Sequence, residues 1–163
     1  MKTSREKKAI KILDEMDKII IHTLRQDCFT PFVKIANKLD VTEGTIRHRI
    51  KRMIQSGAIK RFTVATDPGM LGLGTLAFVI VSVAPGLVKR AAEELAKLPS
   101  VLEVHEIHTN GDLLIKIRAS DLSQTGKILS EQVKTVHGVV NSQVIPVLNV
   151  WKDEMTSQGL PPP

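Results

Sequence analysis

The chain has 163 residues and one cysteine, Cys28. No disulfide can form within it, so a fold held by crosslinks is excluded and a reducing compartment suits it. Nothing near Cys28 in sequence supplies an activating base. A lone cysteine of this kind reads as a small hydrophobe rather than a nucleophile. Long apolar runs are also missing. The longest, Leu76 to Val83, is interrupted by Ser82 and falls far short of the roughly 20 residues a membrane span needs. Met1 to Leu13 is basic but leads into no apolar segment with a small-residue cleavage site, so no signal peptide is expected. The chain reads as soluble and cytoplasmic. No glycine-rich phosphate loop follows a predicted strand, and no serine sits at a nucleophile elbow with histidine and aspartate partners. An enzyme is not expected.

What is present is an uneven distribution of charge. Residues 1–62 hold 15 of the 23 Lys and Arg and 7 of the 17 Asp and Glu, a net charge of +8. The remaining residues hold 8 and 10, a net charge of −2. An evenly solvated single domain has no need of this asymmetry. A basic module joined to a near-neutral one produces it.

Local signals divide the first part into helices. Thr3-Ser4-Arg5-Glu6 has capping-box spacing, and Ile10, Leu13, Ile20 and Leu24 then recur at a helical period, which predicts one long first helix. Thr30-Pro31 predicts the start of a second helix, with Thr30 as cap and Pro31 in the first turn. Phe32, Ile35, Ala36 and Leu39 form its apolar face. Asp40 follows it at a position that calls for a left-handed backbone. Thr42 caps a third helix, with Val41 and Ile46 placed as a hydrophobic staple and Glu43 near the positive end. Ile46, Ile50, Met53 and Ile54 are its expected buried stripe, and Gly57 its end. Ile59 to Thr66 reads as a strand, either a wing against phosphates or a free edge for dimer pairing.

The second part alternates. Strands are expected at 75–83, 101–108, 113–118 and 139–150, and helices at 88–98 and 122–136, with a hairpin turn at Asn110-Gly111. The order βαββαβ is the ferredoxin-like split unit. Its two helices cover one sheet face, so the other face needs a partner, which implies self-association. The expected fold class is therefore α+β. A helix-turn-helix, winged-helix-like domain occupies 1–62, and a connecting strand and linker 63–74. The ferredoxin-like domain spans 75–150, and a tail spans 151–163.

Helices two and three have the spacing of a helix-turn-helix, which places its second helix in the DNA major groove with N-terminal side chains at base edges. Gly44, Thr45, Arg47 and His48, beside the capping Thr42, are the base-proximal candidates. Arg49, Lys51 and Arg52 lie further along as phosphate contacts. Glu43 either accepts from a cytosine amino group or supports the helix dipole. Gly44 costs a helix about 1 kcal/mol against alanine, which close approach to a duplex would offset. A solvated charged face is the plainer reading of the same run.

In the second part, Glu103, His105, Glu106 and His108 suggest a metal only until strand alternation is applied, because 103 and 105 then face away from 106 and 108. No metal is expected, and His22 and His137 read as structural. The turn Thr109-Asn110-Gly111-Asp112 is the best small-molecule candidate. Asp112 would pair with an amino acid's ammonium, and backbone N–H groups with its carboxylate. A plain polar turn is the alternative.

Several motifs occur in a fixed series: Leu13-Asp14-x-x-Asp17, Ile35-Ala36, Val41-Thr42, Thr45-Ile46-x-x-Arg49-Ile50-Lys51-Arg52, Gly57-x-Ile59, Asp67-Pro68, Leu71-Gly72 and Gly138-Val139. With this series the chain resembles the Lrp/AsnC (feast/famine) family of prokaryotic transcription regulators over about residues 13–148. The resemblance implies double-stranded DNA as partner, homodimers that often assemble into octamers, and an amino-acid effector rather than a cofactor. The implied effector positions are Thr109, Asn110, Gly111 and Asp112, with Asn141 and Ser142 at the start of the last strand. Asp112 matches the family pattern. Thr109 stands where the family has glycine and Gly111 where it has an aromatic, while Phe29 and Asp40 replace a common arginine and glycine. Two further readings compete. One is an effector-independent architectural DNA-binding protein. The other is a siroheme-decarboxylase-like enzyme, whose His-Asn-Tyr-type stretch is absent from this tyrosine-free chain.

Overall fold

A computed structural model describes residues 13–109 and 111–152. The chain divides into two compact units, with the break after Val64.

The first unit has three helices: α1 (Glu15–Gln26), α2 (Phe32–Lys38) and α3 (Glu43–Ser56). Helix α1 starts later than expected. Leu13 and Asp14 are not helical, and Asp14 is the cap, extended at φ −77° and ψ 171°. Its carboxylate accepts the Asp17 N–H at 2.8 Å, and the Asp17 side chain accepts the Asp14 N–H at 3.4 Å. This reciprocal pair satisfies the donors that a helix start leaves open, so the helix cannot continue back through it. The Thr3–Glu6 box lies outside the described residues.

Helix α2 also begins differently. Thr30 does not cap it. Its hydroxyl donates to Asp27, whose carboxylate also accepts the Phe29 N–H. Pro31 is the flanking residue, and α2 has no side-chain cap bond. Cys28, in this turn, is exposed rather than buried. At the other end Asp40 takes the left-handed conformation expected of it, φ 52°. The Val41 N–H then closes onto the Ala36 carbonyl at 3.0 Å, a Schellman-type end that reverses the chain into α3.

Thr42 caps α3 by accepting the Thr45 N–H, and Gly57, at φ 80°, ends it. Ile46, Ile50 and Met53 are buried with Ile20, Leu24, Ile35 and Ala36, and Phe32, Val41 and Ile59 pack around them. Ile54, expected in this stripe, is 45% exposed. It follows Met53 by one residue, which carries it about 100° around the helix to the stripe's margin. The strand expected at 59–66 is absent. That stretch has no ladder, since no strand among the described residues offers its backbone a partner.

The second unit is a four-stranded antiparallel sheet in the order β2-β3-β1-β4, from β1 (Thr75–Val83), β2 (Val101–Glu106), β3 (Leu113–Ala119) and β4 (Val139–Pro146). Helix α4 (Val88–Leu95) follows β1. Helix α5 (Leu122–Ile128) follows β3 and continues into a single π-type turn over Leu129–Val133, closed by Lys134 N–H to the Leu129 carbonyl. Alternate residues of β1 and β3 (Ala77, Val79 and Val81; Leu113, Ile115 and Ile117) are buried against Ala91, Leu95, Ile128 and Val133. The helices therefore share one face. Phe78, Ile80 and Leu114 lie on the other, only half-buried. Two strands are shorter than expected. β2 stops at Glu106, where the Ile107 N–H closes the turn onto the Asp112 carbonyl, and β4 ends at Pro146, with one last bond from the Val147 N–H to the Leu76 carbonyl. No helix of the described residues is long and apolar enough to cross a membrane.

Candidate nucleic-acid interface and effector site

The burial of Ile46, Ile50 and Met53 fixes which way α3 presents its remaining residues. At about 100° per residue, Gly44, His48 and Lys51 fall opposite the buried stripe. Gly44, Arg47, His48 and Lys51 are all exposed. A Cβ on Gly44 would meet only the Thr42 hydroxyl, at an ordinary 3.7 Å. Nothing among the described residues therefore requires glycine there. Arg47 is held from two sides. Its guanidinium donates to Glu43 at 2.5 Å, and its Cζ lies 5.4 Å from the centre of the Phe32 ring. Glu43 is thus an intrahelical partner of Arg47. The Thr42 and Thr45 hydroxyls bond each other at 3.0 Å.

Arg49 and Arg52 occupy a different flank. Arg49 Nη1 donates to Asp14 at 2.6 Å and to Asp17 at 2.9 Å, and Arg52 Nη2 donates to Asp17 at 2.5 Å. Asp17 is 2% exposed. The Arg49 guanidinium and the Asp17 N–H hold the Asp14 carboxyl below its usual range, and the two aspartates raise the Arg49 value in turn. The α1 half of this cluster is not legible in local sequence, because its partners lie 32 to 35 residues apart.

In the second unit, the β2–β3 turn folds over the end of β1. Asp112 donates its N–H to the Val81 carbonyl at 3.0 Å, and its Oδ2 accepts the Val83 N–H at 2.7 Å. That carboxylate, expected to meet an ammonium, already stabilises the ladder where the β1–β4 register shifts at Ser82/Val83. Gly111 is needed by packing: a Cβ there would lie 2.5 Å from Ile80 Cγ2 and 3.2 Å from the Val81 carbonyl oxygen. Thr109 is exposed, and Asn110 lies outside the described residues. On the other side of β1, Asn141 pairs with Ser82 and Ser142 with Val81. Asn141 Oδ1 accepts the Ser142 N–H at 2.9 Å. The Ser142 hydroxyl is buried with no hydrogen-bond partner among the described residues. Gly111, Asp112, Asn141 and Ser142 thus meet at one end of β1.

Glu103 and His105 lie on the half-buried sheet face and hydrogen-bond at 3.1 Å, while Glu106 opposes the buried Leu113. The His105 ring, and then Lys116, hold Glu103 below the usual carboxylate range. Among the described residues no three His, Cys, Asp or Glu side chains are grouped to hold a metal.

A capped helix-turn-helix followed by a βαββαβ sheet domain, together with the family and relatives that the chain matches, makes this a DNA-binding transcription regulator. Residues 13–54 match the AsnC-type helix-turn-helix domain, and residues 76–157 the Lrp/AsnC ligand binding domain. The chain belongs to the Lrp/AsnC family. It is 34% identical over 147 residues to an uncharacterised HTH-type transcriptional regulator of Pyrococcus abyssi, covering 88% of this chain and 98% of that protein. Its fold is similar to that of Escherichia coli AsnC, with a TM-score of 0.81 at 20% identity over 92% of this chain and 99% of AsnC. It is also similar to a feast or famine regulatory protein of M. tuberculosis complexed with L-methionine, with a TM-score of 0.82 at 18% identity over 92% of this chain and all of that one.

Proposed function

We propose that this regulator reads specific DNA sequences through the N-terminal edge of α3, as a cytoplasmic homodimer whose sheet domain binds an amino acid. The carrying observation is the division of α3. Its apolar stripe is fully used in the core, and Gly44, Arg47, His48 and Lys51 are presented together on the exposed side. Gly44 lets a duplex backbone or base edge approach the helix where a side chain would stand. Arg47, steadied by Glu43 and Phe32, is suited to a guanine edge.

A second copy supplies what the single chain lacks. Residues 59–66 have no ladder partner among the described residues, and Phe62 and Val64 are 52% and 77% exposed. Pairing this segment with its symmetry mate, and covering the Phe78–Ile80 sheet face, would place two reading helices on half-sites about one helical turn apart or a multiple of it. Octamers are a further step of the same assembly.

Selection of bound duplexes from a random pool tests the reading. It should return a two-fold symmetric site whose affinity falls steeply with salt. Arg47→Ala should weaken that site by about 1–3 kcal/mol and relax preference at one position. Equal, weak binding of selected and random DNA at physiological salt would overturn the proposal.

The effector reading draws on the convergence of Gly111, Asp112, Asn141 and Ser142 and on the methionine complexed with a protein of the same fold. A second reading, regulation without an effector, is favoured by the bond between Asp112 and Val83 and by the tight seat of Gly111. Thermal shift with each of the twenty amino acids separates them. A ligand at 100 times its Kd adds about 2.7 kcal/mol, and no shift with any of them selects the second reading.

A further inference from the structure

The α3 cations differ in whether their charge is already matched. Asp17 is buried, and both of its oxygens are occupied by guanidinium groups, Oδ1 by Arg49 and Oδ2 by Arg52. Asp14 supplies a second carboxylate to Arg49. The cluster contains two carboxylates and two guanidinium groups, so its net charge is zero. Removing either guanidinium to bind phosphate would strip one oxygen of the buried Asp17 of its cation and leave its charge half matched, which is costlier than losing a surface ion pair. Arg47, held by a 46%-exposed Glu43, and Lys51 face no such penalty.

We propose that Asp14 and Asp17 are positioning residues that reserve Arg49 and Arg52 for the α1–α3 joint, so that the recognition helix meets DNA phosphate through Lys51 and not through those two arginines. This rests on the reading that α3 enters the duplex. It separates the motif Arg49-Ile50-Lys51-Arg52 into two tasks. Lys51 sits on the side opposite the buried stripe, while Arg49 and Arg52, three residues apart, lie on the flank facing α1. The buried stripe sets the rotation of α3 about its own axis, and the ion cluster holds the flank toward α1 in that setting.

The test uses the full-length protein and a duplex obtained by selection from a random pool. Each phosphate contact contributes about 0.9 to the slope of log K against log salt. Lys51→Gln should reduce the slope by about that amount. Arg52→Gln should leave the slope unchanged while lowering the unfolding temperature. Asp17→Asn frees charge, so it should steepen the slope by about 0.9 per released arginine and raise affinity for random DNA. A purely structural carboxylate would not do this. A double-mutant cycle of Asp17→Asn with Arg52→Gln, read by thermal unfolding, should show the double variant less destabilised than the sum of the two. A slope loss of about 0.9 for Arg52→Gln, or strict additivity in the cycle, overturns the inference. If the wild-type protein binds no duplex at all, the DNA-reading proposal fails and takes the Lys51 assignment with it, while the cycle separately decides whether Asp17 holds Arg52 at the joint.

Discussion

The two units solve the burial problem with different materials. The described residues of the sheet domain include 13 buried hydrophobic residues in its core, and the buried Thr125 hydroxyl donates to the Asp121 carbonyl. The helical unit has seven buried hydrophobic residues and keeps a buried carboxylate, Asp17, at the joint between α1 and α3. A small core has little apolar area to hold three short helices in one arrangement. A charge-paired joint adds directional geometry where packing is thin. The larger core has no need of one, and its polar groups are free to gather at the end of β1. The basic unit therefore holds its DNA-reading helix with an apolar stripe reinforced by ion pairs, while the near-neutral unit rests on an apolar frame.

The comparison breaks most strongly at Ile46. It is fully buried at the centre of the seven-residue core, and truncation to alanine should cost about 2–5 kcal/mol. Calorimetry should show the helical unit melting well before the sheet domain, with DNA binding lost and the sheet retained. A single unchanged transition would show that the two cores are not separate.

Gly111→Ala probes the other unit at lower cost. The added methyl meets Ile80 Cγ2 and the Val81 carbonyl oxygen. Overpacking of this kind costs about 1–3 kcal/mol, and it should appear in the sheet transition only. Ile80→Ala in the same chain should recover part of the loss. If Gly111→Ala is neutral alone, the turn does not sit as tightly on β1 as described.

Much of this architecture was legible from short-range chemistry. Thr42, Asp40 and Gly57 announce the ends of α2 and α3, because caps and left-handed positions depend on a few adjacent residues. The alternation of Leu113, Ile115 and Ile117 gives β3 and its buried face directly. Errors arose where distant groups decide. The helical period through Leu13 predicted one long helix, but Asp14 and Asp17 make the start of α1, reinforced by arginines more than thirty residues away. Ile59 to Thr66 has strand composition, yet a strand needs a neighbour, and none pairs with it among the described residues. Asp112 was readable as a ligand group, but not as the acceptor of the Val83 N–H, because the close approach of the turn to β1 is a tertiary event. The same limit hid the division of the α3 cations: charge is visible in sequence, and whether it is already matched is not.

The smallest effect tests the electrostatic joint by pH. Asp14 is half exposed, and its carboxyl titrates below the ordinary value of 3.8, first because of Arg49 and then because of the Asp17 N–H. A folded value lowered in this way gives stability that is complete above the ordinary value. The contribution is lost as pH falls through the lowered folded value. Asp14→Asn keeps a side-chain oxygen for the Asp17 N–H, since asparagine caps as well as aspartate, and it removes only the charge facing Arg49. Asp17, Arg49 and Arg52 surround the site in both proteins, so the difference reports the Asp14 charge. Exposure and salt screen the pair, which limits the loss near neutral pH to about 1 kcal/mol or less. The difference in unfolding temperature between wild type and Asp14→Asn should be greatest above pH 4, by the ordinary aspartate value. It should shrink steadily in more acid solution as the wild-type carboxyl takes up its proton. A difference that stays constant through this range would mean that Asp14 acts only as a cap and that the joint is held by Asp17 alone.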